Sequence, residues 1–104
     1  MNIFAWRYSM KIQLESIGLP TLSKLLGKTS QIDMPDGTVA DVVSHIVNRM
    51  GQPARKILLD QKGQLDLSIQ VMVNDEGFLA RNEYSQRILQ DGDKVKFMLL
   101  VGGG

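Results

Sequence analysis

The chain has 104 residues, with 12 Lys and Arg, 11 Asp and Glu, and no cysteine. This length fits one domain with a modest core, and the near balance of charge argues against nucleic acid or an anionic membrane as a partner. The absence of cysteine excludes disulfides, a thiolate nucleophile and cysteine-containing metal sites, and it fits a cytoplasmic protein.

Residues 1–9 are apolar but are interrupted by Arg7, with no basic lead before them. They are a poor signal peptide, and no apolar run in the chain approaches the ~20 residues of a membrane span. We predict that residues 1–9 are an N-terminal extension, either loose or added to a sheet edge, before a domain at residues 10–101.

Alternation of apolar and polar residues predicts two half-buried strands, at residues 10–16 and 29–34. Gly18 and Pro20 break the first strand, and residues 22–27 are expected to turn loosely before the second. The two strands are predicted to form an antiparallel hairpin. The inward side chains are Met10, Ile12, Leu14, Ile32 and Met34.

The clearest predicted helix begins after Thr38. Thr38 is a good N-cap, and Asp41 follows at the spacing of a capping box. Gly51 is placed to end the helix. One apolar stripe recurs at helical period: Val39, Val42, Val43, Ile46, Val47 and Met50. Most of these residues are valines of weak helix propensity, so burial against a sheet must stabilise the helix.

Shorter elements are predicted next. Residues 53–59 form a short helical turn and residues 60–63 a reversal. A strand lies within residues 65–74, and a turn follows it. The inward residues of that strand are Ile69, Val71 and Val73.

The C-terminal part begins with a polar connection over residues 81–90, anchored by Tyr84, Ile88 and Leu89. A tight turn at residues 91–93 leads into the last strand at residues 94–101. The inward residues of that strand are predicted to be Val95, Phe97, Leu99 and Val101. The order of elements predicts a two-layer α+β domain with a mixed sheet of four to five strands. Its first and last strands pair in parallel at the centre, and one main helix covers one face.

Three glycines, Gly102, Gly103 and Gly104, follow the last strand. Glycine buries no side chain and loses the most backbone freedom on ordering, so such a segment suits a thin, mobile tail. The tail can thread into a narrow channel of another protein and present a carboxyl carbon there. Alternatively, it is a frayed end without a role.

Met72, Met98 and Leu100 fall at outward positions of the sheet, and we predict that they form a partner-binding surface. Alternatively, the N-terminal extension, the second helix or a second copy covers them. Lys94 and Lys96 on the same face either steer acidic partner surfaces or are solvated. The only histidine, His45, lies on the polar side of the main helix and is expected to be a solvated surface residue.

The residues at the C-terminal end resemble a known family. Residues 89–95 (LQDGDKV) and 101–104 (VGGG), with the order of elements, are similar to the ubiquitin-like β-grasp sulfur carriers. That family includes the small subunit of molybdopterin synthase and the thiamine-biosynthesis sulfur carrier. Residues 59–65 (LDQKGQL) and 71–74 (VMVN) are similar to the molybdopterin-type members. The end lacks the proline usual in that type and has Gly102 in place of alanine, which leaves the acceptor enzyme open.

The resemblance implies a carrier that is not itself a catalyst. A partner adenylyltransferase similar to ubiquitin-activating enzymes attaches AMP to Gly104, and sulfur then replaces it as a thiocarboxylate. Gly103 and Gly102 let the backbone enter both partner active sites. The chain itself holds no cofactor or metal, because ATP and Mg²⁺ are bound by the activating partner. The acceptor is a molybdopterin synthase large subunit or a thiazole synthase.

Two alternatives remain open. A ubiquitin-like modifier would use the same activated carboxyl group to form isopeptides with target lysines. A plain β-grasp interaction module would have an inert tail.

Overall fold

The computed structural model describes residues 9–27 and 30–100. Within these ranges it contains four strands, three α-helices and a short 3₁₀ turn at Arg81–Glu83. The regular elements are β1 (Ser9–Ile17), α1 (Pro20–Leu26), β2 (Ser30–Pro35), α2 (Val39–Met50), α3 (Gln52–Leu58), β3 (Ile69–Val73) and β4 (Lys94–Leu99). Residues 1–8 of the predicted extension and the segment 101–104 lie outside the described residues.

The four strands form one mixed sheet in the order β2-β1-β4-β3. β1 and β2 pair antiparallel, β3 and β4 pair antiparallel, and β1 and β4 run parallel at the centre. The predicted hairpin and the predicted parallel pair are therefore confirmed. Because β4 has a neighbour on each side, the chain leaves the sheet from a central strand.

One face of the sheet and the helices enclose a single apolar core. Ile12, Leu14, Val95 and Phe97 of the two central strands are at most 1% exposed. The predicted stripe of α2 is buried over Val39, Val42, Val43, Ile46 and Val47, and Met50 is partly buried. Each buried valine contributes roughly 1.5 kcal/mol or more, which offsets the weak helix propensity of β-branched residues.

The capping box predicted for α2 is present. The Thr38 hydroxyl accepts a hydrogen bond from the Asp41 amide at 3.4 Å, and the Asp41 carboxylate accepts one from the Thr38 amide at 2.8 Å. At the other end Gly51 has a φ of 76°, a left-handed conformation that favours glycine. These two local signals set the bounds of the helix.

The expectation of a loose turn at residues 22–27 is wrong, because Pro20–Leu26 forms the helix α1. Its first helical residue is proline, which has a suitable φ and no amide that needs a partner there. Leu22 and Leu26 are buried in the core. No side chain caps its N-terminus, so packing of the two leucines holds this short helix.

Two predicted core side chains are exposed instead. Ile88 is 64% exposed, whereas its neighbour Leu89 is 2% exposed and Tyr84 is partly buried. Ile88 pairs with Thr38 through an isolated bridge, so its backbone is anchored while its side chain faces solvent. Leu99 is 39% exposed because β4 ends there, beyond the part of the core that the helices cover.

In the part of the chain that the structure describes, no helix is long and apolar enough to cross a membrane.

Candidate functional site

The end of β4 lies beside two other chain segments. Its residues Met98 and Leu99 are in register with Ile17 of β1 and Ile69 of β3, respectively. The next residue, Leu100, donates its amide to the Ser68 carbonyl at 2.6 Å. The backbone is therefore held up to Leu100, directly before the segment that contains Gly102, Gly103 and Gly104. These three predicted site residues lie outside the described residues.

An apolar patch occupies this end of the outer sheet face, the face turned away from the helices. We call the outer apolar patch the set Ile17, Met72, Phe78, Met98 and Leu100. Ile17 is in register with Met98, Phe78 bridges to Met72, and Leu100 continues the alternation of Met98. Ile17 is 48% exposed, and Phe78 and Leu100 are each 54% exposed. Met72 and Met98 are half-buried between them.

The three outward residues that the sequence singled out therefore share one side of the sheet. Met72 lies diagonally from Met98, because Met72 pairs with Lys96 and Met98 with Gln70. Sequence reasoning missed Ile17 and Phe78. Ile17 had a usable signal, since it continues the outward series of β1. Phe78 had none, because it follows a turn.

The outer face is charged where β4 begins. The Asp75 carboxylate lies 3.0 Å from the Lys94 ammonium and 3.0 Å from that of Lys96. The Glu15 carboxylate lies 3.5 Å from Lys94 and 3.9 Å from Lys96. The two lysines are thus paired within the chain, and this charged cluster of Glu15, Asp75, Lys94 and Lys96 has no net charge.

The pairing shifts two pKa values. Hydrogen bonds from Lys94 and Lys96 hold the pKa of the Asp75 carboxyl below its ordinary value. The hydrogen bond to Asp75 in turn raises the pKa of Lys94, with a smaller contribution from Glu15. The Asp75 carboxylate and the Lys94 ammonium therefore both stay ionised around neutral pH.

A tight turn places Asp75 in this cluster. Asn74 and Asp75 have φ of 53° and 59°, and the Glu76 amide donates to the Val73 carbonyl at 3.0 Å. These are features of a type I′ turn, which asparagine and aspartate tolerate better than most residues. The Asn74 side chain accepts a hydrogen bond from the Lys94 amide at 2.9 Å. The turn therefore fixes Asp75 against β4.

The other candidates are not gathered into a catalytic arrangement. His45 is half-buried on α2, so it is less exposed than the solvated surface residue that the sequence predicts. Within residues 9–27 and 30–100, no three His, Asp or Glu side chains come together as a metal site would require. The outer apolar patch and the end of β4 remain the candidate functional site.

Comparison with known proteins places these features in context. The profile of the ThiS family matches residues 21–104, most of the chain. A search of curated protein sequences finds no match.

Several solved structures have a similar fold. The crystal structure of SAMP1 from Haloferax volcanii is 24% identical, has a TM-score of 0.67, and aligns over 90% of this chain and 99% of that one. Urm1 from Trypanosoma brucei is 25% identical over 92% and 97% of the two chains, with a TM-score of 0.65. A putative molybdopterin converting factor subunit 1 from Pyrococcus furiosus is 20% identical over 88% and 99%, with a TM-score of 0.58. The likeness confirms the ubiquitin-like β-grasp fold.

Proposed function

Because this chain belongs to the ThiS family of ubiquitin-like sulfur carriers, we propose that it carries sulfur as a thiocarboxylate on Gly104 and donates it in cofactor biosynthesis. The observation that carries the proposal is the course of β4. This central strand is held to Ser68 at Leu100, and the sequence then continues with valine and three glycines. The body of the domain is thereby a rigid base for a narrow C-terminal segment.

The proposed chemistry begins at the Gly104 carboxylate. With a pKa near 3.5, an α-carboxyl group is an unreactive carboxylate at neutral pH. A carboxylate oxygen attacks the α-phosphorus of ATP, pyrophosphate leaves, and an acyl adenylate forms. The terminal sulfur of a persulfide on the partner then attacks the acyl carbon and AMP leaves. A thiol cleaves the resulting sulfur–sulfur bond, which yields the thiocarboxylate and a disulfide.

All catalytic groups for these steps belong to partners. A ubiquitin-activating-enzyme-like adenylyltransferase binds ATP and Mg²⁺, and this chain supplies the carboxyl group as co-substrate. Gly103 and Gly102 lack side chains, so the segment can enter an active site too narrow for other residues. The proposal includes a cytoplasmic location, which the absence of cysteine supports.

The outer apolar patch is the surface proposed to dock on both partners. Met72, Met98 and Leu100 lie beside the start of the tail, so a partner that grips them also receives Gly104. Methionine side chains are flexible and polarisable and can repack against two different surfaces. Apolar side chains that cluster in solvent commonly mark such an interface.

For the sulfur acceptor we favour a molybdopterin synthase large subunit, with a thiazole synthase as the alternative. The likeness to the Pyrococcus furiosus protein described as a molybdopterin converting factor supports the first, and the ThiS profile supports the second. To distinguish the two acceptors, the thiocarboxylate form of the chain is mixed with each acceptor enzyme separately, together with the precursor that the enzyme converts. Only the true acceptor should convert the thiocarboxylate back to a carboxylate at a useful rate.

The test of the proposal is adenylation in a purified system. We expect the chain, incubated with the activating enzyme and Mg-ATP, to gain one AMP as measured by intact mass. A matched control carries one extra alanine after Gly104, which displaces the carboxyl group and should abolish the adduct without altering the circular dichroism spectrum. Equal adenylation of the extended chain, or none of either chain, would refute the proposal.

A second candidate function is protein modification. The fold likeness to proteins described as a small archaeal modifier and as Urm1 favours it. Here a lysine amine of a target attacks the acyl adenylate, AMP leaves, and an isopeptide forms. Adducts that disappear when Gly103 and Gly104 are deleted would support this role alongside sulfur transfer.

A further inference from the structure

A groove of about 660 Å³ runs along the flank of α2, away from the outer sheet face. The loop at residues 59–65 forms one wall, and the segment at residues 81–85 closes one end. No residue of the outer apolar patch lines it. Polar and charged side chains that line the groove include Ser44, Asn48, Arg55, Gln64, Arg81 and Tyr84.

Hydrogen bonds between separate segments hold the walls in place. The Ala40 amide donates to the Tyr84 carbonyl at 2.8 Å, which fixes the closing segment to the first turn of α2. The Arg81 guanidinium donates to the Leu65 carbonyl at 2.6 Å. The groove is therefore preformed, and a ligand need not order it on binding.

Arg81 is also held by an aromatic ring. Its guanidinium carbon lies 6.0 Å from the centre of the Tyr84 ring, at the outer limit of a cation–π contact. Burial raises the pKa of Tyr84, an effect that the Arg81 charge partly offsets. Arg81 uses one nitrogen on Leu65, so its other N–H groups are oriented for a further acceptor.

The charge along the groove has one sign. Among residues 9–27 and 30–100, the only charged residues that line it are Arg55 and Arg81, and no carboxylate does. Two neighbouring carboxylates accept hydrogen bonds from backbone amides in local turns. The Asp60 carboxylate accepts hydrogen bonds from the amides of Lys62 and Gln64. The Glu83 carboxylate accepts one from the Ala80 amide.

Asp66 is a third neighbouring acid. Its carboxylate accepts the amide and the hydroxyl of Ser68. These bonds lower its pKa, with the charge of Arg81 as the smallest contribution. The Asp66 carboxylate therefore partly offsets the charge of Arg81.

We propose that this groove binds an extended acidic peptide segment of a partner protein, with Arg55 and Arg81 holding its carboxylates. Arginine forms paired hydrogen bonds with carboxylates. The amide side chains of Asn48 and Gln64 offer both donor and acceptor groups for a peptide backbone. Val43 and Val47 also line the groove and provide apolar contact for alternate side chains.

The shape of the groove favours a peptide over a small molecule. Small-molecule sites enclose most of their ligand's surface, whereas this groove is only partly enclosed between α2 and the loop. A nucleic acid is disfavoured because the whole chain has a formal net charge of only +1. A peptide that alternates acidic and apolar residues fits the groove best. Its carboxylates can pair with the guanidinium groups of Arg55 and Arg81 while its apolar side chains contact the valines.

The test uses a fluorescent, end-blocked peptide that alternates glutamate with leucine, titrated with the full chain. We expect saturable binding, with amide chemical shifts of Ser44, Asn48 and Gln64 moving in parallel. Arg55→Gln should weaken binding about tenfold, the effect of losing one charge-assisted pair. Arg81→Lys should weaken it too, because lysine keeps the charge but loses the planar fork.

Arg49→Gln is the matched control. Arg49 is an exposed arginine near the end of α2 that does not line the groove, so the change in net charge is identical while the groove is intact. We expect its affinity to stay within about twofold of the unmodified chain, well below the effect of one lost ion pair.

Three results would overturn the proposal. They are equal losses for Arg55→Gln and Arg49→Gln, equal affinity for a peptide with glutamine in place of glutamate, and equal shifts from inorganic phosphate alone. The groove residues are not ones that the sulfur-transfer proposal uses, and peptide binding is measured without any activating enzyme. Failure here and failure of sulfur transfer are therefore independent.

Discussion

The two ends of the outer sheet face differ in whether their side chains have partners within the chain. Where β4 begins, Lys94 and Lys96 are paired with Glu15 and Asp75 inside the chain. Where β4 ends, the outer apolar patch is partly exposed, with Leu100 and Phe78 each 54% accessible. The charges at the first end are neutralised within the chain, whereas contact with another surface would remove the exposed apolar area of the second end from water. The difference supports the proposal that a partner docks on the outer apolar patch.

The two faces of β4 give the largest predicted difference in stability. Phe97 is fully buried and Met98, the next residue, is half-buried on the outer face. Phe97→Ala should lower the free energy of unfolding by about 3–5 kcal/mol. Met98→Ala should lower it by about 1 kcal/mol, since less apolar area leaves water on folding. Denaturant titrations of both variants measure this, and equal losses would contradict the assignment of the two faces.

The patch is tested by two isoleucines of similar exposure. Ile17 lies in the outer apolar patch and is 48% exposed, and Ile88 lies outside it and is 64% exposed. Ile17→Glu should lower kcat/KM for adenylation by the partner about tenfold, which corresponds to the loss of one well-packed contact. Ile88→Glu should leave it within about twofold, because that side chain makes no contact with the partner. Equal effects of the two substitutions would remove the basis for a docking role of the patch.

We expect the smallest effect from a substitution at the charged end of the outer sheet face, where β4 begins. Asp75→Asn removes the negative charge that faces Lys94 and Lys96, but all three groups remain accessible to water, so only a small loss of stability is expected. The sign with pH follows from the lowered pKa of Asp75. Its contribution is present above the unfolded pKa near 3.9 and is lost as pH falls through the folded pKa.

Acid titration of stability is the readout for that variant. Asp75→Asn should be less sensitive to acid below about pH 4, and added salt should reduce the difference between the two chains. An unchanged acid profile would show that the ion pairs do not persist in solution.

Periodic signals made most of the architecture predictable from the sequence. The stripe of α2 and its capping residues Thr38, Asp41 and Gly51 agree in one local pattern, and the alternation in β1 and β4 identifies a central pair. Sequence reasoning missed the helix α1 because it interpreted Pro20 as a break, although Pro20 and Gly27 mark the two ends of the helix. The burial of Leu22 and Leu26 in the core, which holds the helix, is a tertiary effect that no local pattern shows.

Side chains at element ends were harder to predict. Alternation places Leu99 inward, but it cannot show that the core ends at Phe97, two residues earlier. Phe78 reaches the outer apolar patch only because the turn at Asn74 and Asp75 folds the chain back along β3. The positions of such side chains depend on contacts between segments that are distant in sequence, and a local sequence pattern does not predict these contacts.

The central claim concerns the carboxyl group of Gly104 and is tested most directly by locating the sulfur. The chain is incubated with its activating enzyme, Mg-ATP and a persulfide donor, and is then fragmented in the mass spectrometer. We predict that one oxygen is replaced by sulfur and that the change resides in the fragment ending at Gly104. Sulfur found on any other fragment, or a C-terminal fragment whose mass is unchanged while ATP is consumed, would contradict the account.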